Sequence, residues 1–216
     1  MIDLHMHSFL SDGVLTPSEL ARRCDAIGFT AIAITDHVDS SNIETVVPQI
    51  VNACNDINKH WKIKTIPGFE ITHTPIEIIG DLVKKGRALG AKIALLHGET
   101  VVEPVIKGTN HAGLLADIDI LAHPGVIDEE DAKIAAEKNI YLEISGRKGH
   151  SFTNGHVVKT AQKTGAPLIF NTDTHAPGDL MSKEMAELVL IGSGLSKREI
   201  ETVFQNAQKL VEKKIY

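Results

Sequence analysis

Short apolar runs recur along the chain, and most are followed by a stretch with the periodicity of an amphipathic helix. We predict seven strands, at residues 2–6, 30–35, 62–69, 91–96, 118–122, 140–144 and 167–170. Helices are predicted at residues 17–27, 43–60, 75–89, 129–138, 155–164, 182–190 and 196–212, with a mixed connection at 101–115. The first helix has a clear start, because Thr16, Pro17 and Glu19 form a capping-box pattern.

The alternation of strands and helices is typical of a parallel sheet with helical crossovers. An open doubly wound sheet and a closed barrel both satisfy this α/β pattern. The sequence shows no linker, low-complexity stretch or internal repeat, so we predict a single domain over residues 1–216.

Composition narrows the possible functions. The chain is 43% hydrophobic and 23% charged, which excludes a disordered protein, and its net charge of −6 disfavours a nucleic-acid binder that works by bulk electrostatics. Cys24 and Cys54 have no CxxC spacing, which excludes a disulfide scaffold and indicates a reducing compartment. The absence of a signal peptide or a long apolar run predicts a cytoplasmic protein without membrane contact. The 11 histidines make metal binding the first hypothesis.

An acidic or imidazole side chain stands at the carboxyl end of every predicted strand. These residues are His5 and His7, Asp36 and His37, Glu70, His97, His123, Glu143, and Asp173 and His175. Parallel α/β enzymes place their active sites at this edge of the sheet. A closed barrel would bring all seven strand ends to one rim, whereas an open sheet would spread them apart. The pattern therefore favours a barrel and predicts a metal cluster on its rim.

The first strand carries two histidines two residues apart. Because alternate residues of a strand share a face, His5 and His7 are expected to face one ion, while Leu4 and Met6 face the helices. Asp3 lies on the face of the histidines, and we expect it to accept a ring N–H.

Seven short motifs together resemble the polymerase and histidinol phosphatase (PHP) domain family. They are, in family order, DLHMHS at 3–8, SDG at 11–13, TDH at 35–37, GFE at 68–70, HG at 97–98, HP at 123–124 and DTH at 173–175. The resemblance implies a distorted (β/α)7 barrel of the TIM type. It also implies three divalent metal ions, usually manganese, zinc or iron, and the hydrolysis of phosphoric esters.

The resemblance further implies nine metal ligands in three groups. The groups are His5, His7, Asp173 and a bridging Glu70 for the first ion; Glu70, His97 and His123 for the second; and Asp12, His37 and His175 for the third. Glu70, Asp173 and His175 are the predicted catalytic residues. Glu143 matches an acidic family position and would either bind metal or orient another ligand.

The predicted chemistry needs no serine or cysteine nucleophile. Adjacent ions lower the pKa of a bridging water molecule, so that metal-bound hydroxide can attack phosphorus near neutral pH. The glycine-flanked basic loop after the sixth strand supplies Arg147, Lys148 and His150 as candidate residues for binding the substrate phosphate, with Lys107 a weaker candidate. The acidic net charge favours a small phosphomonoester as the substrate.

Three alternatives remain open at this stage. A nuclease or phosphodiesterase could use the same centre on nucleic-acid ends. A metal amidohydrolase also opens with HxH, but it calls for eight strand–helix units and not for Asp12 or His37. A non-catalytic scaffold is disfavoured because every implied ligand position is filled. The oligomeric state cannot be predicted from the sequence.

Overall fold

The first helix begins where the sequence predicts it. The Thr16 hydroxyl accepts a hydrogen bond from the Glu19 amide, and Pro17 occupies the first helical position. Our computed structural model describes residues 1–215; Tyr216, the last residue of the predicted domain, lies outside the described residues. The α-helices in this range are α1 (Pro17–Ala26), α2 (Ile43–His60), α3 (Ile79–Ala88), α4 (Thr109–Leu115), α5 (Glu129–Lys138), α6 (Asn154–Thr164), α7 (Lys183–Gly192) and α8 (Lys197–Ile215). Short 3-10 helices lie at Ile76–Ile78, His150–Thr153 and Pro177–Asp179.

The strands form one parallel sheet. They are β1 (Ile2–Asp3), β2 (Ala31–Ile34), β3 (His37–Val38), β4 (Lys64–Ile71), β5 (Ile93–His97), β6 (Ile120–Ala122), β7 (Tyr141–Ser145) and β8 (Leu168–Asn171). Neighbours follow the order β1-β2-β4-β5-β6-β7-β8, and β3 continues the line of β2 along β4. The sequence pattern did not predict β3, because a break at Thr35 and Asp36 separates it from β2.

The sheet curls into a nearly closed barrel, because its first and last strands meet. Met6 forms a parallel bridge with Thr174, and the His7 amide donates to the Thr174 carbonyl at 2.8 Å. The Thr172 amide also donates to the Asp3 carboxylate at 2.9 Å. Because β2 and β3 together occupy one strand position, seven strand positions surround a common axis. The predicted seven-stranded barrel is confirmed, and the alternative of an open sheet is excluded.

Apolar side chains fill the barrel below its rim. Ile2, Leu4, Ile66 and other inward residues form one buried cluster, to which Leu210 of α8 contributes. A larger cluster lies between the strands and the outer helices. Within residues 1–215, no helix is both long and apolar enough to cross a membrane.

The first strand differs from its prediction. It ends at Asp3, so the alternation expected over residues 2–6 does not hold. Leu4 joins the barrel interior and only Met6 packs towards the helices, whereas both were expected to face outward. Regular strand pairing stops here because the Leu4 and His5 amides donate to the side chains of Asn171, at 2.8 Å, and Asp3, at 3.1 Å, instead of to a neighbouring strand.

Candidate metal centre

The carboxyl ends of the strands and the loops that follow them carry a ring of imidazole and carboxylate groups. Most of its members are buried, as illustrated by His5, His7 and Glu70, which have no exposed surface. His73, His123 and Asp173 in this ring have positive φ angles of 51°, 27° and 52°. Left-handed backbone is uncommon for residues other than glycine and clusters at functional sites, where surrounding contacts hold it in place.

The structure brings the residues of the first predicted ligand group close together. His5 Nε2 lies 3.3 Å from Glu70 Oε1 and 3.6 Å from Asp173 Oδ1, and His7 Nε2 lies 3.2 Å from Asp173 Oδ1. Donors bonded at 2.0–2.1 Å to one tetrahedral ion are about 3.3–3.4 Å apart. These separations are therefore those of donor atoms that could share an ion.

Glu70 faces two sides of the centre. Its Oε1 lies 3.3 Å from His5 Nε2 and 3.6 Å from His123 Nε2, while its Oε2 lies 2.7 Å from His37 Nδ1 and 3.7 Å from His7 Nε2. Each oxygen thus meets a different set of imidazoles. A carboxylate in this position can bridge two ions.

The third predicted group lies at the mouth of the centre. Asp12 Oδ1 lies 3.1 Å from His175 Nε2 and 3.5 Å from His37 Nε2, and the His7 ring also belongs to this group. Asp36 does not reach the centre. It anchors the loop that carries Asp12 by accepting hydrogen bonds from the amides and hydroxyls of Ser8 and Ser11.

His97 and His123 of the second predicted group also lie close together, and a third imidazole lies beside them. Donor atoms of His97, His123 and His150 all lie within 4.8 Å of one another. The rings of His123 and His150 are stacked with centroids 4.0 Å apart.

Several buried nitrogen and oxygen atoms of this centre have no hydrogen-bond partner, which bears on whether the centre fits metal ions. Side-chain atoms without a hydrogen-bond partner include Nε2 of His5, both ring nitrogens of His7, Oε1 of Glu70 and Oδ1 of Asp173. Buried polar atoms are nearly always paired, because leaving them bare costs free energy. The mixed nitrogen and oxygen donors, with no thiolate, suit zinc, manganese or iron. The residues therefore fit a metal cluster.

The electrostatics of the metal-free centre keep its carboxylates ionised. Burial opposes ionisation, but the His5 and His37 imidazoles hold the pKa of Glu70 well below its usual range. Burial likewise opposes the ionisation of Asp173, but the nearby His5 imidazole outweighs it and lowers the pKa of Asp173. Burial, with a further contribution from His37, lowers the pKa of His7 to about 3, so its ring stays neutral and able to bind an ion.

Glu143 takes the orienting role that was predicted for Asp3. Glu143 Oε2 lies 2.8 Å from His5 Nδ1 and also accepts a hydrogen bond from Asn171, so it orients the first histidine. Asp3 contacts no imidazole nitrogen in the described residues; its oxygens accept the backbone amides of His5 and Thr172. The prediction that Asp3 accepts a ring N–H is therefore wrong.

The basic loop after β7 divides between the centre and the solvent. Arg147 reaches the centre, where its Nε lies 3.6 Å from Asp173 Oδ2 and its guanidinium donates to the Asp173 carbonyl and to His175 Nδ1. His150 is buried within the centre, whereas Lys148 and Lys107 are exposed and do not line the cavity over it.

Sequence reasoning missed one carboxylate of the centre. Glu103 Oε2 lies 3.1 Å from both His97 Nε2 and His73 Nε2, and Glu103 Oε1 lies 3.4 Å from His150 Nε2. Glu103 lies in the 101–115 connection, within a loop that no strand end or motif marks. Glu99 and Glu103 both follow the ligand-bearing strand β5 in the sequence. Nothing in the pattern indicates that Glu103 reaches the centre while Glu99 accepts the backbone amides of Gly108 and Asn110.

The chain is similar to known proteins over most of its length. The family model of the PHP domain matches residues 3–150. The uncharacterized protein MJ1295 of Methanocaldococcus jannaschii is 45% identical over 215 residues, which cover 99% of each chain. The DNA polymerase/3′-5′ exonuclease PolX of Bacillus subtilis is 27% identical over 199 residues, covering 80% of this chain and only 34% of PolX.

Two solved structures share the fold at low sequence identity. A chain from an archaeal ribonuclease P complex with mature tRNA has a TM-score of 0.74 and 16% identity, with 98% of this chain and 90% of that chain covered. The Listeria monocytogenes protein hisK, described as a candidate histidinol phosphatase, has a TM-score of 0.55 and 12% identity, with 83% and 97% covered. The motifs, the barrel and the match of the family model over most of the sequence establish that this chain belongs to the PHP domain family.

Proposed function

We propose that the chain is a metal-dependent hydrolase of phosphoric esters that acts on a small phosphomonoester. The observation that carries this proposal is the guanidinium of Arg147, which stands beside Asp173 in the cavity lined by the metal-binding side chains. A guanidinium binds two phosphate oxygens at once, and no such group is needed to bind the ions themselves.

Three divalent ions, manganese, zinc or iron, would be held by the three ligand groups described above. When bound, such ions lower the pKa of a water molecule and neutralise charge on phosphate oxygens. Asp173 lies at the floor of the cavity and the fully buried Glu70 lies behind it, and each carboxylate contacts imidazoles of more than one group. His175, close to both Asp12 and Asp173, links the mouth to that floor. Arg147 binds and orients the phosphate from the side.

The shape of the cavity supports a terminal phosphate group as the reacting part. Its volume is about 190 Å³, below the roughly 300–1,000 Å³ of pockets that enclose whole ligands. The floor is buried, whereas Asp12 and Glu103 at the mouth are 54% and 37% exposed. The phosphate would enter this cavity while the rest of the ester stays outside.

A second candidate is a nuclease that acts on nucleic-acid ends. The relative named as a 3′-5′ exonuclease favours it. The net charge of −6 opposes it, because nucleic-acid binders usually present a basic surface.

The test is a hydrolysis screen with metal content measured on the same sample. The panel holds nucleoside and sugar phosphomonoesters, bis-p-nitrophenyl phosphate, a 5′-phosphorylated oligonucleotide and a dipeptide. We expect phosphate release from one class of monoester, at a rate that His60→Ala leaves unchanged, since His60 is exposed at the end of α2. Cleavage of only the oligonucleotide would support the nuclease. Hydrolysis of only the dipeptide by metal-loaded protein would contradict the proposal.

A further inference from the structure

We infer that His150 is a metal ligand of the second group and that Glu103 is an exchangeable carboxylate at the same position. The family resemblance implies only Glu70, His97 and His123 there. The inference rests on the metal centre of the proposed function and is independent of which ester is hydrolysed.

The first argument is the way the His150 ring is held. Its Nδ1 lies 2.8 Å from the Thr100 hydroxyl, which can accept the ring proton, and its Nε2 points into the centre. The predicted ligands His5 and His97 are held in the same way, with Nδ1 near Glu143 Oε2 at 2.8 Å and near the Gly98 carbonyl at 3.2 Å. A partner on one ring nitrogen leaves the lone pair of the other for a metal ion.

The second argument is burial. His150 is 4% exposed and stacked on His123, and its Nε2 is also 3.7 Å from Asp173 Oδ2. A ring packed this deeply, among two imidazoles and two carboxylates, faces the same point as the predicted ligands. It is poorly placed to contact the part of a substrate that stays outside the cavity.

Glu103 closes the outer side of this position. Its two oxygens contact His97, His73 and His150, and it is 37% exposed on the loop between β5 and α4. His73, also at the mouth and 41% exposed, supports the carboxylate from outside. Catalytic metal sites need an open or exchangeable position, and a half-exposed carboxylate on a loop can leave more readily than a buried imidazole.

Two consequences follow for this ion. Three imidazoles bound directly to this ion would favour zinc or iron over magnesium, which prefers oxygen donors. An incoming phosphate oxygen would also have to displace the Glu103 carboxylate. The loop that carries Glu103 would then influence how tightly a phosphate binds.

The experiment is a titration of the metal-free protein with Co²⁺, followed by visible absorption and calorimetry. We expect His150→Ala to weaken one of the binding events by about 10–100-fold or more, because even removal of a partner behind a ligand costs 10–100-fold in metal affinity. Thr100→Val should weaken the same event by less. His60→Ala, on the exposed end of α2, should bind Co²⁺ like the natural protein.

A second titration addresses Glu103 without measuring activity. Inorganic phosphate is added to the Co²⁺-loaded protein, and we expect Glu103→Gln to bind it severalfold more tightly, since the competing carboxylate is gone. Normal Co²⁺ binding by His150→Ala would overturn the ligand role of His150, and weaker or unchanged phosphate binding by Glu103→Gln would overturn the exchangeable role of Glu103. Failure of the natural protein to bind Co²⁺ would instead contradict the metal centre itself.

Discussion

At the scale of single residues, the centre depends on side chains whose two donor atoms serve different neighbours. Glu70 is the clearest case, because its two oxygens face the His5 and His123 side and the His7 and His37 side respectively. Imidazoles act in the same way when one nitrogen is held by the protein and the other points inward, as in His5 between Glu143 and Glu70. Replacing such a residue should affect both neighbours at once.

We therefore expect Glu70→Gln to lose cluster metal and hydrolysis together. The amide is neutral and offers one oxygen, so it cannot bridge two ions as a carboxylate does. Metal content by mass spectrometry and turnover on the same sample check this outcome. Glu77→Gln, at an exposed position before α3, is the matched control and should keep both. Full metal content with near-normal turnover in Glu70→Gln would contradict the bridging role.

Arg147→Ala should weaken phosphomonoester binding more than it slows turnover. An arginine on a nonbridging phosphate oxygen stabilises ground and transition states alike, so its loss raises KM. A charge-assisted hydrogen bond contributes about 1.5–3 kcal/mol, or about 10–100-fold in binding. A smaller fall in kcat is also expected, since Arg147 contacts Asp173 and His175. Steady-state kinetics check this, with Lys148→Ala at the neighbouring exposed position as control. An unchanged KM would exclude the phosphate contact.

At the scale of elements, the loops after the strands decide how close the ligands come. Gly98, directly after β5, has no room for a side chain: an added Cβ would lie 2.3 Å from the Ala122 carbonyl oxygen and 2.8 Å from the Pro124 Cα. These neighbours flank His123, while Gly98 itself follows His97. Close backbone approach at this glycine therefore sets the distance between two predicted ligands of the second group.

Gly98→Ala should separate His97 from His123 and weaken metal binding. The obstructing atoms belong to backbone, so the two loops must move apart rather than a side chain rotating away. We expect a lower melting temperature and the loss of one metal equivalent, measured by calorimetry and metal analysis. Gly80→Ala in α3 is the control, because a Cβ there meets nothing within 4 Å and alanine favours a helix. Equal metal content in both variants would contradict this role of Gly98.

At the scale of the whole molecule, barrel closure brings residues from both ends of the chain into one site. His5 and Glu143 are 138 positions apart, and Leu4 and Asn171 are 167 apart, yet each pair is joined by a hydrogen bond of 2.8 Å. Ions held by residues from so many strands would link all parts of the fold. Metal removal should therefore lower stability as well as activity.

Chelation should abolish hydrolysis, and manganese, zinc or iron should restore it, with magnesium alone doing poorly. The second expectation concerns pH. Activity should rise with pH and fall in acid, because imidazoles must lose their protons to bind metal. His37 illustrates the direction of this pH dependence. Burial opposes its positive charge, but Glu70 and Asp12 raise its pKa to about 10 in the metal-free protein. Metal binding there displaces a proton, so affinity should increase as pH rises towards that value.

Chelated, remetallated and alkylated samples compared over a pH series check these outcomes. Alkylation is the control, because Cys24 and Cys54 are buried in helices and burial raises the pKa of Cys54 to about 12. Thiol reagents should thus leave the activity intact. Full activity after complete removal of metal, or loss only on alkylation, would contradict the hydrolytic mechanism.

The sequence by itself was sufficient for the features that depend on local pattern and chain order. The pattern of apolar and polar residues predicted α2 and α5 to the residue, since the periodicity of an amphipathic helix is local to its own sequence. The strand-end histidines and carboxylates pointed to one rim because parallel strands share a direction. Capping at Thr16 and the motif order required no knowledge of distant contacts.

Only the tertiary structure decided what depends on how the barrel closes and where its loops run. Closure through Met6 and Thr174 distinguished the barrel from an open sheet that the same alternation allows. It also put Glu143, rather than the nearby Asp3, behind His5, because the Asp3 oxygens accept the backbone amides of His5 and Thr172. Glu103 and His150 entered the centre along loops without periodicity, whose paths are determined by packing against distant residues rather than by their own sequence.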